Sequence, residues 1–167
     1  MENYICINGK KAELTEEQMK ALGIELQKSN PFERINKNGS YYFISDTGRV
    51  LETNDMPHLF EIDNTRYNVA NYCADREIMR QRALHETLNR LLWRYSMEHG
   101  AEEINWQDGK QQKWEVCYNH DKIKLEVFDC RTLQTFGSVY FASYQTAWDA
   151  IEEIIEPFME AHPEFKW

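Results

Sequence analysis

The spacing of apolar and polar positions divides this chain into four sections. Tyr4 to Ile7 leads into Asn8-Gly9, the dipeptide best suited to a tight hairpin turn, and Lys10 to Leu14 returns, so residues 3–14 read as a small hairpin. Thr15 follows, with Gln18 three positions on, the spacing of a capping box at a helix start. Met19 and Leu22 give this short helix an apolar edge, Gly23 ends it, and Asn30-Pro31 breaks the chain. Tyr41-Tyr42-Phe43-Ile44 and the run from Arg49 to Thr53 flank Asp46-Thr47-Gly48 and predict a second hairpin. Residues 54–71, with Pro57 and scattered Asn and Asp, read as a loop.

The longest helix is predicted over residues 74–98, with His99-Gly100 as its stop. At about 100° per residue, Leu84, Leu88, Leu91, Leu92 and Tyr95 fall in one stripe that must face a core. The last section predicts three strands and a helix. Residues 114–118 alternate, 119–122 turn, and 123–128 alternate again with Ile123, Leu125 and Val127 on one face; Val139-Tyr140-Phe141 forms the third strand. Ile104-Asn105-Trp106 is a candidate for one more short strand. Ser143 caps a helix starting at Tyr144, which Pro157 kinks or divides near Glu156. The fold class is therefore α+β: N-terminal hairpins with a short helix, one long central helix, and a C-terminal antiparallel β-β-β-α unit.

Composition adds limits. At 167 residues the chain has the length of one compact domain, residues 1–167, read as sub-sections 1–74, 75–99 and 100–167. Apolar residues make up 42% and charged residues 28%, which argues against a disordered chain. No run approaches the roughly 18 apolar residues of a membrane span, and the first residues lack the basic start and apolar stretch of a signal peptide. Cys6, Cys73, Cys117 and Cys130 fit no zinc or redox spacing and are expected reduced in a cytoplasm; a cluster of Cys117 and Cys130 with His85 and His120 is the weaker alternative. The net charge of −9 disfavours non-specific binding to nucleic acid or anionic membrane and suits a basic protein partner.

That charge is unevenly placed. Residues 100–167 hold 13 acids against 6 bases, whereas residues 75–99 hold 4 acids against 5 bases. On the last helix Asp149, Glu152, Glu153, Glu156 and Glu160 form a face opposite an apolar one, a candidate surface for a basic partner. On the central helix Arg76, Arg80, Arg90 and Arg94 lie within about 80° of one another, a candidate contact strip for anions or nucleic acid. Either face also fits an ordinary solvated surface. Trp93 beside the arginines suits a dimer contact.

Catalytic signatures do not occur: neither phosphate-binding glycine motif is found, nor are HExxH and GxSxG. The histidines are His58, His85, His99, His120 and His162, and His85 is expected half-buried and structural. Glu102-Glu103 and Glu152-Glu153 are adjacent pairs whose side chains diverge, unlike paired catalytic carboxylates. Aromatic residues at Tyr41, Tyr42 and Phe43, or at Tyr118, Phe128, Tyr140 and Phe141, offer a base-stacking sheet face, but without lysines between them.

Several blocks resemble small phage and mobile-element proteins of gut Firmicutes. They are Ile7 to Lys10 with Leu14 to Lys20, Asn30 to Arg34 before Tyr41 to Ile44, Arg66 to Cys73 running into Ala83 to Arg94, and Gly137 to Phe141 with Ala147 to Pro157. Some similar proteins are anti-CRISPR proteins that inhibit the type II effector nuclease. The resemblance implies a phage or prophage accessory protein in a bacterial cytoplasm. The expected function is non-enzymatic binding and inhibition of a host defence protein, partly through the acidic face and without a metal or cofactor. Two alternatives are a nucleic-acid-binding accessory protein using the arginine strip and an enzyme with an unrecognised site.

Overall fold

A computed structural model describes residues 4–7, 10–22, 30–35, 39–56 and 60–167, and it is a mixed α+β structure. The chain forms two compact units, Met1–Glu33 and Arg34–Trp167.

In the first unit β1 (Tyr4–Ile7) pairs antiparallel with β2 (Lys10–Glu13), with Ile7 opposite Lys10. The Asn8-Gly9 turn and the Gly23 helix stop lie outside the described residues. Helix α1 (Glu16–Ala21) opens on a full capping box: Thr15 N donates to Gln18 Oε1 at 2.9 Å, and Gln18 N donates to Thr15 Oγ1 at 3.3 Å. Met19 is buried, whereas Leu22, expected on the apolar edge with it, is exposed because it sits one residue past the last helical turn.

The second unit begins with a tight hairpin. Strands β3 (Ser40–Ile44) and β4 (Val50–Asn54) pair from Ser40↔Asn54 to Ile44↔Val50 around the Asp46-Thr47-Gly48 turn. Gly48 has φ of +80°, the left-handed region that favours glycine, and a Cβ there would crowd Thr87 Oγ1 at 3.3 Å. On the other edge of β3, Tyr42 and Cys73 exchange backbone hydrogen bonds of 2.7 and 3.0 Å.

Residues 54–71 are not all loop: Phe60–Asn68 is a helix, α2. Its inward group is Asp63, fully buried, which accepts from Tyr41 Oη at 2.5 Å and Met56 N at 3.1 Å and lies 3.8 Å from Arg66. Because a carboxylate and not an apolar stripe faces inward, hydrophobic periodicity gives no signal there. Tyr41 stacks on Tyr72 at 3.9 Å, and Tyr72 Oη donates to Asp55, which Arg34 Nε also engages at 2.9 Å. Burial first, with Asp63 and Asp55 alongside, pushes the Tyr41 and Tyr72 phenols up to about 12.

Helix α3 (Arg76–Glu98) starts at Asp75, whose carboxylate accepts from Glu77 N and Ile78 N, and stops before Gly100, with φ of +88°. It serves two cores. Met79 and Ala83 pack with Ile44 and Cys73. Further along, Leu88 packs with Ile151, Ile155 and Phe158, and Tyr95 with Phe141, Ala147 and Ala150. Ser96 Oγ, buried, donates to Tyr140 O at 2.6 Å.

The C-terminal section holds two strands, not three. β5 (Lys113–Asn119) and β6 (Lys124–Cys130) pair antiparallel, while Val139-Tyr140-Phe141 contributes a single bridge between Phe141 and Trp114. Tyr140 turns its carbonyl to Ser96 and Ser143 already caps the next helix, so no length remains for a ladder. Residues 104–106 form no strand either; Trp106 stands edge-on to Tyr140. Ile123, expected on one strand face with Leu125 and Val127, lies instead in the turn before β6, with φ of 54°, and is 77% exposed. Helix α4 (Tyr144–Ala150), capped by Ser143 Oγ at 3.0 Å from Thr146 N, passes through a π turn (Ile151–Ile155) into α5 (Glu156–Ala161). Pro157 has no N–H to give, and Glu156 N reaches back five residues to Ile151 O, so the helix is re-aimed without ending.

Replacing Asp63 with Ala should destabilise the protein by about 3 kcal/mol, because Arg66 and the Tyr41 hydroxyl lose a buried partner. The exposed Glu61→Ala on the same helix should change stability by less than about 0.5 kcal/mol. Urea unfolding of the two variants measures both, and equal midpoints would contradict the buried-carboxylate account.

Candidate protein-binding groove

Helix α4, the π turn and α5 form one wall of an open groove of about 1270 Å³, and the β5–β6 turn with strand β6 forms the other. The helical wall presents Tyr144, Trp148, Ile151 and Met159 together with Glu152, Glu156 and Glu160. The strand wall presents Ile123, Leu125, Val127 and Phe128 with Lys122, Lys124 and Glu126. Tyr144, Trp148, Ile123 and Phe128 are all exposed.

The predicted acidic face is thereby divided. Glu152, Glu156 and Glu160 line the groove, and Glu152 accepts from Trp148 Nε1 at 2.8 Å, which holds the indole over the helix. Asp149 accepts from Gln145 Nε2 at 2.7 Å. With Glu153 it lies toward Tyr95, whose phenol is pushed up first by burial and then by Glu153. Three of the five acids therefore line the groove and two do not.

Charge on the strand wall is largely self-satisfied. Lys122 and Lys124 both pair with Glu126, at 2.9 and 3.1 Å, and Asn119 Nδ2 donates to the same carboxylate at 2.8 Å. Lys122, then Asn119 and Lys124, hold the Glu126 carboxyl down at about 2. Glu156 and Glu160, by contrast, have no ion pair or hydrogen-bond partner among the described residues. Four carboxylates against two lysines leave the groove negative.

The arginine strip is interrupted. Ala83 and Thr87 at its middle meet the β3–β4 hairpin, with Ala83 in the Ile44 core and Thr87 under Gly48. Arg80 on one side pairs with Glu164 at 2.7 Å, and with Arg76 it lines a cleft of about 920 Å³. Arg90 and Arg94 on the other side line a hollow of about 470 Å³ with Trp93, which is 60% exposed. Arg76, Arg90 and Arg94 have no ion pair among the described residues.

Other candidate chemistry is used internally or dispersed. Tyr41 is buried against Tyr72, the Arg66 guanidinium covers Phe43 at 3.6 Å, Tyr140 and Phe141 are buried, and Tyr118 stacks on Trp167, so of the candidate rings Phe128 is the one left exposed on a strand. His85 is exposed and lies 4.7 Å from Phe165, not half-buried as expected, because the last residues of the chain and not the core lie against it. Among the described residues no three His, Cys, Asp or Glu side chains converge to hold a metal ion, so Cys117, Cys130, His85 and His120 form no cluster. His58 lies outside the described residues. The buried Lys113 spends its three protons on the carbonyls of Asp108, Gln111 and Arg131, which makes it a staple between two loops.

Sequence reasoning missed the apolar half of the groove. Trp148 and Ile123 both stand in apolar patterns of the kind that ordinarily face a core, yet both are exposed. Only a turn conformation that periodicity does not encode brings Ile123 outward. No protein-family profile, curated protein or solved structure matches the chain. No helix among the described residues is long and apolar enough to cross a membrane.

The depressed Glu126 carboxyl ties the β5–β6 turn to pH. Its folded value lies below the ordinary 4.5, so its stabilisation is full above about 4.5 and is lost as pH falls through about 2. A carboxyl-detected NMR titration should place the Glu126 midpoint near 2, and Lys122→Ala should raise it. A midpoint at 4.5 that Lys122→Ala leaves in place would show that the ion pair does not form.

Proposed function

We propose that this chain is a non-enzymatic accessory protein of a phage or mobile element that binds and inhibits a host defence protein in the bacterial cytoplasm. The partner is a basic, nucleic-acid-binding protein, and the type II CRISPR effector nuclease is the leading candidate because of the resemblance noted above. The observation that carries the binding reading is the joining, in one open groove, of exposed Trp148, Ile123 and Phe128 with the unpaired Glu156 and Glu160. Apolar anchors inside a charged rim are the anatomy of a protein-binding surface, and the negative sign selects a basic partner. An inhibitor of this kind would occupy the surface on which the partner holds nucleic acid.

Charge reversal tests the reading. Glu152→Lys, Glu156→Lys and Glu160→Lys together should weaken binding to the purified effector by at least about a hundredfold and restore DNA cleavage. Asp149→Lys with Glu153→Lys, on the Tyr95 side, should change affinity by less than about fivefold. Calorimetry and a cleavage assay read both, and full inhibition by the groove variant would refute the acidic-groove role.

A second reading has one observation in its favour: Arg90 and Arg94, without ion-pair partners among the described residues, flank exposed Trp93. Two cations beside an indole suit a phosphate and a stacked base. A gel shift with single-stranded DNA at low salt should then appear and be abolished by Arg90→Ala with Arg94→Ala. Absence of any shift at low salt rejects this reading, since phosphate contacts are strongest there.

A further inference from the structure

Resting on the groove reading above, we propose how the partner is held: a basic, extended segment of it adds as a third strand to the free edge of β6. The backbone gives the direction. Trp114 N donates to Phe141 O at 3.0 Å and Phe141 N donates to Trp114 O at 2.7 Å, so Trp114 turns both its groups away from β6. In an antiparallel ladder the residue opposite such a position also turns outward, and the sense alternates along the strand. Asp129 lies opposite Trp114, so Asp129, Val127 and Leu125 present their N–H and C=O groups at the outer edge of β6. Among the described residues no strand or bridge covers that edge, and no side chain accepts from these three amides.

The groove runs along this edge. Every residue from 122 to 128 lines it, whereas a hollow on one face of a strand would be lined by alternate residues only. Its floor is roughly 20 Å long, enough for a segment of about six residues. The hairpin tip holds Ile123 outward in a left-handed conformation that a β-branched residue adopts only under strain, which supplies an apolar anchor at one end.

Charge complementarity defines the occupant. Glu152, Glu156 and Glu160 are spaced four residues apart, about 6 Å along a helix. Alternate residues of a strand advance about 6.6 Å, so lysines or arginines at every second position match the three carboxylates in turn. The intervening positions face the side of Phe128 and suit apolar residues. A helical ligand would leave the outward amides of β6 unpaired, and a second copy of this chain would bring its own Glu126 to an already negative groove.

The test uses the whole protein and a labelled peptide of alternating Lys and Val, with alternating Glu and Val, and a block arrangement of the same Lys and Val residues, as comparisons. Fluorescence anisotropy at low salt should show binding of the alternating Lys/Val peptide, at least about tenfold tighter than either comparison. Glu152→Gln, Glu156→Gln and Glu160→Gln together should remove that preference. Amide hydrogen exchange by NMR is the decisive readout: Leu125 and Val127 should exchange at least about tenfold more slowly with the peptide bound. Failure of the alternating peptide to bind, or binding without slowed exchange at Leu125 and Val127, would overturn strand addition. Binding without slowed exchange would leave the acidic-groove reading in place, because that rests on charge reversal against the effector. Slowed exchange that rises with protein concentration in the absence of peptide would assign the edge to a second copy and also overturn the proposal.

Discussion

One helix has to satisfy two cores, and the remainder of the second unit is arranged around that demand. Helix α3 places Met79 and Ala83 against the β3–β4 hairpin near its start and Leu88 and Tyr95 against the C-terminal helices further along. Packing on both sides uses most of its circumference. The arginines share the hairpin side of α3 with Ala83 and Thr87, which explains why they stand on either side of the hairpin turn and not in an unbroken strip. The same demand fixes α4 and α5, since Ile151, Ile155 and Phe158 must all reach α3 although Pro157 removes a helical hydrogen bond. The π turn reconciles the two by shifting the register of the helix in its middle.

Around the β3–β4 hairpin, stability comes from a different source. Asp63 and Asp55 are buried carboxylates, each held by an arginine and a tyrosine, and the two tyrosines stack on one another. Such networks add little net stability over an apolar core, but they tolerate no partial loss, and so they fix one arrangement of strand and helix. They also consume chemistry that would otherwise invite a catalytic reading. The same holds for Lys113, whose charge is spent on three carbonyls.

Elements whose signal is local were legible in the sequence. The Thr15–Gln18 box, the hairpin around Gly48, the long helix and its Gly100 stop, and the Ser143 cap all depend on residues within a few positions of one another. Helix α2 was not legible, because its inward residue is an aspartate whose partners lie on other elements. The third strand failed for a related reason: the Tyr140 carbonyl is taken by Ser96, far away in sequence. The acids of the candidate site were legible as a face, but their division was not, since which of them meet the strand wall depends on how the helix packs and not on its own periodicity. Trp148 and Ile123 went unrecognised because both are apolar residues in patterns that ordinarily point inward.

The proposed function puts a partner in the β6–α4 groove and not on the arginine side of α3. The indole N–H signals of Trp148 and Trp93 report on those two surfaces separately, since Trp148 Nε1 donates to Glu152 in the groove wall and Trp93 stands between Arg90 and Arg94. An NMR titration of the two indole signals with the purified effector nuclease is the most direct test. The account predicts that the Trp148 signal shifts or broadens at sub-stoichiometric partner while Trp93 is unchanged. A shift of Trp93 with Trp148 unmoved would contradict it.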